Sequence, residues 1–426
     1  MNQRPLPTPW NVYNLSRSPF FQQPLESGEE TPRPLSLFVA REAELASLRG
    51  TIHGAGQNGT VQAIAGASGI GKTTLVKELK ALVIEDGYLT TDAYVAILPE
   101  ETAEGLFGRV LGALYDTILA NRPQSGDNAA MADAKILVRA ARIGSGGLSF
   151  SAPMIGGLGA SRGMTVVTPN DIMIDGPRVM RDLVRMVQGS DARGVMLHLN
   201  NLENLSESDA TRAAEVLRAL RDIMLLHNGL HYIIVGTTDA VHIAVNTHAQ
   251  LRSIVSTLAL PALTIDEVHR LLQARYTHLR VDHARTAIPP VAADAVVALY
   301  DFFAGDLRGL LKALEDGASP LIGLDGDRGH SLTLDELRQP LRHRYAAELG
   351  ALPEQTRVSQ LQKWGMTTPD IAHTQKSLGK LWKLSQGPVS TAVNYLVGQG
   401  YVIACPRNGA EPTQYVLSGV SRLIFG

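Results

Sequence analysis

Apolar residues along this chain gather in short runs separated by longer amphipathic stretches. Thr60 to Ala65 (TVQAIA), Ala93 to Ile97 (AYVAI), Val195 to Leu199 (VMLHL), His231 to Val235 (HYIIV) and Ser256 to Leu260 (STLAL) read as strands. Between them the spacing turns helical. Leu75, Leu79 and Leu82 share one face, and from about Glu207 so do Ala213, Leu217, Leu220 and Met224. Short apolar strands alternating with helices predict an α/β fold, a parallel sheet covered on both faces. After Pro261 the strands stop. Thr264 and Glu267 form a T-x-x-E capping box that opens a helix through Val268, Leu271 and Leu272, and helical pattern continues to about residue 318. An all-helical layer is therefore expected after the sheet.

The flanks differ. Residues 1–35 are proline-rich without a regular apolar repeat, which predicts an extended arm. Its Ser18 to Phe21 segment (SPFF) offers an aromatic anchor for packing on the body. Residues 121–170 separate two clear helices and resist assignment. Seven of the twenty residues from Gly144 to Gly163 are glycine, so a flexible insertion and a glycine-rich hairpin both stay open. A loop of about fifty structureless residues is uncommon in a compact domain, and a function is expected of it.

Residues 374–417 read as a winged helix-turn-helix. Leu378, Leu381 and Trp382 form one apolar stripe, Lys383-Leu384-Ser385 a short turn, and Val389, Val393 and Leu396 a second stripe that Gly400 ends. Tyr401 to Ala404 is a strand, Pro406 to Pro412 a turn around Asn408-Gly409, and Tyr415 to Leu417 the returning strand. The two stripes with Trp382 predict a core private to residues 351–426. Gln386, Ser390, Thr391 and Asn394 point outward on the second helix, able to read base edges or bond phosphates. None is basic, so affinity for nucleic acid would rest on Lys376, Lys380, Lys383 and Arg407. Modules of this kind also bind protein, and both partners stay open.

Composition narrows the classes. At about 150 residues per domain, 426 residues suggest two to four domains. Hydrophobic residues at 45% against 19% charged are enough to bury a sizeable core, which excludes bulk disorder. No apolar run approaches the roughly 18 residues of a membrane span, and MNQRPLPTPW is not a secretory signal. Cys405 is the single cysteine, which excludes an internal disulfide framework and a cysteine-based zinc site. A cytoplasmic protein without membrane contact is expected. The net charge of −2 argues against coating nucleic acid wholesale, yet residues 351–426 carry +4 and the remainder −6. A basic terminal module on an acidic body suits a small nucleic-acid-binding appendage.

The strongest chemical signal is Gly66-Ala-Ser-Gly-Ile-Gly-Lys72-Thr73, a full match to G-x-x-x-x-G-K-S/T placed between a strand and a helix. Glycines 66, 69 and 71 let the backbone curl so that its N–H groups face a polyphosphate, and the helix N-terminus adds partial positive charge. Gly66, Ser68, Gly69, Ile70, Gly71, Lys72, Thr73 and Thr74 are the expected nucleotide contacts. Lys72 would reach the β- and γ-phosphates of ATP and Thr73 would ligate Mg²⁺. Hydrolysis also needs a carboxylate at the end of a neighbouring strand, commonly with a second beside it. Here Asn200 and Asn201 stand at those positions, with Glu203 the nearest carboxylate. Asn200 can bond a metal-bound water but cannot neutralise charge or accept a proton. Nucleotide binding with slow or conditional hydrolysis follows as the expectation.

Phe38-Val-Ala-Arg-Glu-Ala-Glu-Leu45 resembles the F-V-G-R-E-x-E-L box of AAA+ ATPases of the origin-recognition initiator and STAND type, with Ala40 where glycine is usual. The resemblance implies that Val39 and Arg41 lie by the adenine. Thr237, in Gly236-Thr-Thr238, falls at the sensor-1 position. Arg308, in Gly305-Asp-Leu-Arg308-Gly-Leu-Leu311, falls at sensor 2. Arg252, in Gln250-Leu-Arg252-Ser, falls where an arginine finger serves a neighbouring subunit. The resemblance covers roughly residues 36–320, with a similar C-terminal module beyond. It implies a P-loop NTPase sheet of the AAA+ kind (36–260), a helical lid and linker (261–350) and a winged helix (351–426). It also implies ATP or ADP with Mg²⁺, self-association when ATP is bound, and double-stranded DNA as partner. Replication, transposition control and mobile-element defence are all compatible. The other reading is a STAND-like signalling scaffold whose terminal module binds protein and whose nucleotide is structural.

Overall fold

The computed structural model describes residues 8–23, 25–26, 34–144, 169–324, 329–405 and 412–425. The chain forms two compact units, one of residues 1–40, 67–71 and 261–426, the other of residues 41–66 and 72–260.

The second of these is the α/β layer. In chain order it holds α1 (Glu42–Gly54), β1 (Thr60–Ala65), α2 (Lys72–Glu85), β2 (Val95–Ala96), α3 (Ala103–Asn121), α4 (Ala129–Gly144), α5 (Pro169–Gln188) and β3 (Val195–Asn200). There follow α6 (Glu207–Ala219), β4 (Leu230–Gly236), α7 (Thr238–Val241), α8 (Ala249–Arg252) and β5 (Val255–Ala259). The strands make one parallel sheet in the order β2-β3-β4-β1-β5. β4 is buried along its whole length, β1 after its first residue and β3 before its last, which is why each reads as a continuous apolar run. β2 is shorter than the 93–97 run suggests. The Ala93 carbonyl accepts a hydrogen bond from Lys80 Nζ at 2.8 Å, and the Tyr94 ring is exposed.

The segment 121–170 contains more structure than its sequence suggests. A 3-10 turn at Pro123–Asp127 leads into α4, a helix that buries Met131, Ala134, Leu137 and Val138 against α3 and α5. The glycine-rich stretch from residue 145 lies outside the described residues.

The other unit holds α9 (Ile265–His278), α10 (Ala293–Phe302), α11 (Leu307–Leu324), α12 (Leu334–Gly350), α13 (Gln355–Thr367), β6 (His373–Thr374), α14 (Gln375–Trp382) and α15 (Gln386–Gly398). It ends with β7 (Val402–Ala404), β8 (Gln414–Leu417) and α16 (Gly419–Phe425), and β6-β8-β7 form an antiparallel sheet. The expected capping box opens α9, with Thr264 and Glu267 each bonding the other's backbone N–H. The turn expected at Pro406 to Pro412 falls mostly outside the described residues.

The N-terminal segment is anchored by its aromatics. Trp10, Tyr13, Leu15 and Phe20 are buried in the same apolar cluster as α9 to α12. Buried Arg275 of α9 donates from Nη1 to the carbonyls of Pro19 (3.0 Å) and Phe21 (2.9 Å), and its guanidinium lies 4.0 Å from the Phe21 ring centroid. Burial pushes its pKa down to about 9, which leaves it charged at neutral pH. Two carbonyls and a ring face offset its desolvation.

The core expected to be private to residues 351–426 is shared instead. Leu378, Trp382, Val389, Val393 and Leu396 join a cluster that continues through Leu337, Leu341 and Tyr345 of α12. α16 packs on α12 and α13, and Arg342 Nε donates to the Ile424 carbonyl at 2.8 Å. Gly419 lies so close to the Phe303 ring that a Cβ there would be 2.4 Å away. So small a module has too little interior to cover its own apolar faces.

Removing the anchor ring tests the arm. Phe20→Ala is expected to cost about 3–5 kcal/mol of stability in this unit, read as a lower urea midpoint, with faster native-state proteolysis before residue 23. An unchanged midpoint and cleavage rate would contradict the packing described.

Candidate functional site

The site is built on the connection from β1 to α2. Gly66 N–H donates to the Gly236 carbonyl at 3.3 Å and Leu260 N–H to the Ala65 carbonyl at 2.7 Å, so the ends of β1, β4 and β5 meet at one edge of the sheet. Gly69 (φ +82°) and Gly71 (φ +95°) take the left-handed conformation that glycine adopts without strain. Ile70 is buried and anchors the loop, while Ser68 and Thr73 are exposed and Thr74 is half-buried. Lys72 is 5% exposed. Its Nζ donates to the Gly66 carbonyl at 3.0 Å and lies 3.4 Å from Glu203 Oε2. A buried ammonium needs such partners.

The end of β3 is a turn. Asn200 is its last, half-buried residue, and its carbonyl accepts from Ile97 N–H at 2.9 Å. Asn201 has φ +84°, a region asparagine tolerates better than most residues. Both ends of its side-chain amide are engaged. Nδ2 donates to the Ile97 carbonyl at 2.9 Å, and Oδ1 accepts from Asn204 Nδ2. A 3-10 turn, Leu202–Asn204, follows and carries Glu203 to Lys72.

The remaining expected residues lie as follows. Thr237 caps α7, its hydroxyl oxygen accepting from Ala240 N–H at 3.3 Å. Arg252 is exposed at the end of α8. Arg41 is buried and pairs with Glu44 at 2.9 Å. Ala40 has φ +70°, so the position where the resembling box carries glycine is one whose backbone favours glycine. Val39 packs, half-buried, on the apolar cluster of the unit that holds α9 to α16. In that unit Arg308 is exposed on α11, and a Cβ at Gly69 would lie 3.1 Å from Arg308 Cβ and 2.0 Å from Asp306 Oδ1.

No family model matches the sequence, and no curated protein matches it. Solved structures do. The chain is similar to origin-recognition proteins. It is 16% identical to the Aeropyrum pernix ORC2 protein in its ADPNP–ADP complexes, covering 95% of each chain with a TM-score of 0.47. To the Aeropyrum pernix ORC1 protein in complex with DNA it is 14% identical, covering 92% of this chain and 94% of that one, TM-score 0.45. To Cdc6p from Pyrobaculum aerophilum it is 15% identical, covering 93% and 96%, TM-score 0.40.

The C-terminal module presents a second candidate surface. Lys376, Lys380, Lys383 and Gln386 are exposed and line a groove of about 640 Å³ between α14 and α15, with no acid in its wall among the described residues. Lys383 is held at φ +58° as the cap of α14. Thr391 and Asn394 are exposed on α15 and Ser390 is half-buried. Arg407 lies outside the described residues. Trp382 is core.

One site neighbour escapes a reading of the sequence, and a second enters it only as the Asp of the Gly305-to-Leu311 motif. Asn204 matters by locking Asn201, and only the N-x-x-N spacing hints at it. Asp306 caps α11, accepting from the backbone N–H groups of Arg308 and Gly309. Burial pushes its carboxyl above the usual range, and those two amides pull it back.

The turn at Asn201 has a measurable signature. Asn201→Val is expected to destabilise by about 2–3 kcal/mol, combining left-handed strain with the lost bond to Ile97. Asn201→Gly should recover the strain part. Equal melting temperatures for the two variants would show that the left-handed turn does not govern the site.

Proposed function

We propose that this protein is an ATP-binding AAA+ switch that couples nucleotide state to assembly and to double-stranded DNA binding, in a replication, transposition or defence context. The observation that supports it most is the buried Lys72 in a glycine loop between a parallel strand and a helix N-terminus. Loop amides and the start of α2 receive the phosphates, and Lys72 neutralises the β- and γ-phosphates. Thr73 hydroxyl and Asn200 amide oxygens are hard donors that suit Mg²⁺, an ion that keeps most of its waters and supplies charge neutralisation on the phosphates. Val39 and Arg41 flank the base. Thr237 orients the γ-phosphate, Arg308 responds to it from the lid, and exposed Arg252 serves a neighbouring subunit. With neutral side chains at 200 and 201, turnover is slow or conditional.

The acid-free lysine groove favours DNA over protein as the partner of the C-terminal module. Phosphates would bind Lys376, Lys380 and Lys383 while Gln386, Ser390, Thr391 and Asn394 face base edges.

Lys72→Ala should weaken ATP–Mg²⁺ binding by about 10- to 150-fold, the loss of one charge-assisted contact, with the fold retained. An unchanged dissociation constant by calorimetry would overturn the assignment. For the groove, Lys380→Ala with Lys383→Ala should flatten the slope of log K against log salt for duplex binding by about two units. An unaltered slope would remove these lysines from the DNA interface.

A further inference from the structure

Hydrolysis of ATP is accelerated by a group that takes a proton from the attacking water, and neither asparagine at the end of β3 can do so. The structure explains where the carboxylate has gone. Asn201 is committed to the backbone of Ile97 and to Asn204, and its left-handed φ redirects the chain into the 202–204 turn. Leu202 is fully buried beneath that turn and packs so closely on Gly236 that a Cβ at 236 would lie 2.9 Å from it. The turn is thus fixed from below and from its side, and Glu203 projects from it to within 3.4 Å of Lys72 Nζ. A described ion pair thus joins it to the phosphate-loop lysine.

We propose that Glu203 is the working carboxylate of the phosphate site. It is the counter-ion of Lys72 while the site is empty and the proton acceptor once ATP is bound. This rests on the ATP-binding reading above. In the empty site the carboxylate offsets the cost of burying the ammonium. The far larger negative charge of the triphosphate displaces it from Lys72, but the turn keeps it beside the ammonium that holds the γ-phosphate. There it accepts a hydrogen bond from a water. As the water oxygen bonds to the γ-phosphorus, the bond from phosphorus to the bridging oxygen breaks and leaves its electron pair on ADP. The water proton passes to Glu203, which returns it to solvent. Moving the carboxylate from the strand end to a turn makes it a less closely positioned base, in keeping with slow turnover.

The test compares full-length wild type, Glu203→Gln and Glu203→Asp by calorimetric ATP–Mg²⁺ binding and by single-turnover hydrolysis at saturating ATP. Glu203→Gln should bind ATP about 3- to 10-fold more tightly, because the competitor for Lys72 is gone. It should hydrolyse ATP at least 30-fold more slowly, in line with the roughly 10²–10⁴ of general-base catalysis. Glu203→Asp should retain part of the rate. A wild type that binds ATP while Glu203→Gln matches its rate, or a wild type that binds ATP without hydrolysing it, overturns the role of Glu203 alone. A Glu203→Gln variant that neither binds nor hydrolyses would show a structural residue and overturn it too. A wild type that does not bind ATP overturns the nucleotide reading itself.

Discussion

A buried ammonium governs the glycine loop between β1 and α2. Lys72 begins α2 with little of its surface in water, so its charge must be met from within: by the Gly66 carbonyl and by Glu203. That requirement links distant parts of the sheet. β1 must end where the loop can curl, β4 must close beside it through Gly236, and the turn after β3 must deliver a carboxylate. The same arrangement leaves the loop poised for an anion. A polyphosphate brings more negative charge than Glu203 does and can take its place.

In the other unit the governing fact is a single apolar cluster. The arm, the helices after residue 264 and the C-terminal helices bury their faces together, with Arg275 held by the carbonyls of the arm and Arg342 by that of Ile424. A module that shares its core with α10 to α12 cannot swing independently of them without exposing Phe303, Tyr345 and Leu423. Any displacement of α10 to α12 therefore carries α14, α15 and the lysine groove with it. This gives a physical route by which a change at Arg308 and Asp306 of α11 would reach the lysine groove.

Much of this was legible in the sequence, for reasons tied to particular residues. Strands buried on both faces leave apolar runs, so β1, β3 and β4 appear at nearly their true limits, whereas β5 is an edge strand exposed at Ser256, Thr257 and Ala259 that its Leu258 to Leu260 stretch still marks. Thr264 and Glu267 announce α9 because a capping box is a local motif. The glycine loop is legible because its chemistry is written in spacing. α4 was hidden because the glycines that begin at its end, Gly144 onward, draw the whole segment into a loop reading although Met131, Leu137 and Val138 share a face. The turn at Asn201 was hidden because φ is not written in residue type, and an asparagine at an expected acid position reads as a degraded motif before it reads as a turn. Arg275 was hidden because a charged helix residue ordinarily faces water. The shared core was hidden because periodicity reports which face of a helix is apolar, not what covers it.

The central claim is that nucleotide state controls DNA engagement. Its most direct test is duplex binding by the full-length protein, followed by fluorescence anisotropy across a salt series with and without ATP–Mg²⁺. If ATP gathers several C-terminal modules on one duplex, affinity should rise at least about tenfold and the salt slope should steepen. Equal affinity and slope in both conditions, or no binding to any duplex at low salt, would contradict the account.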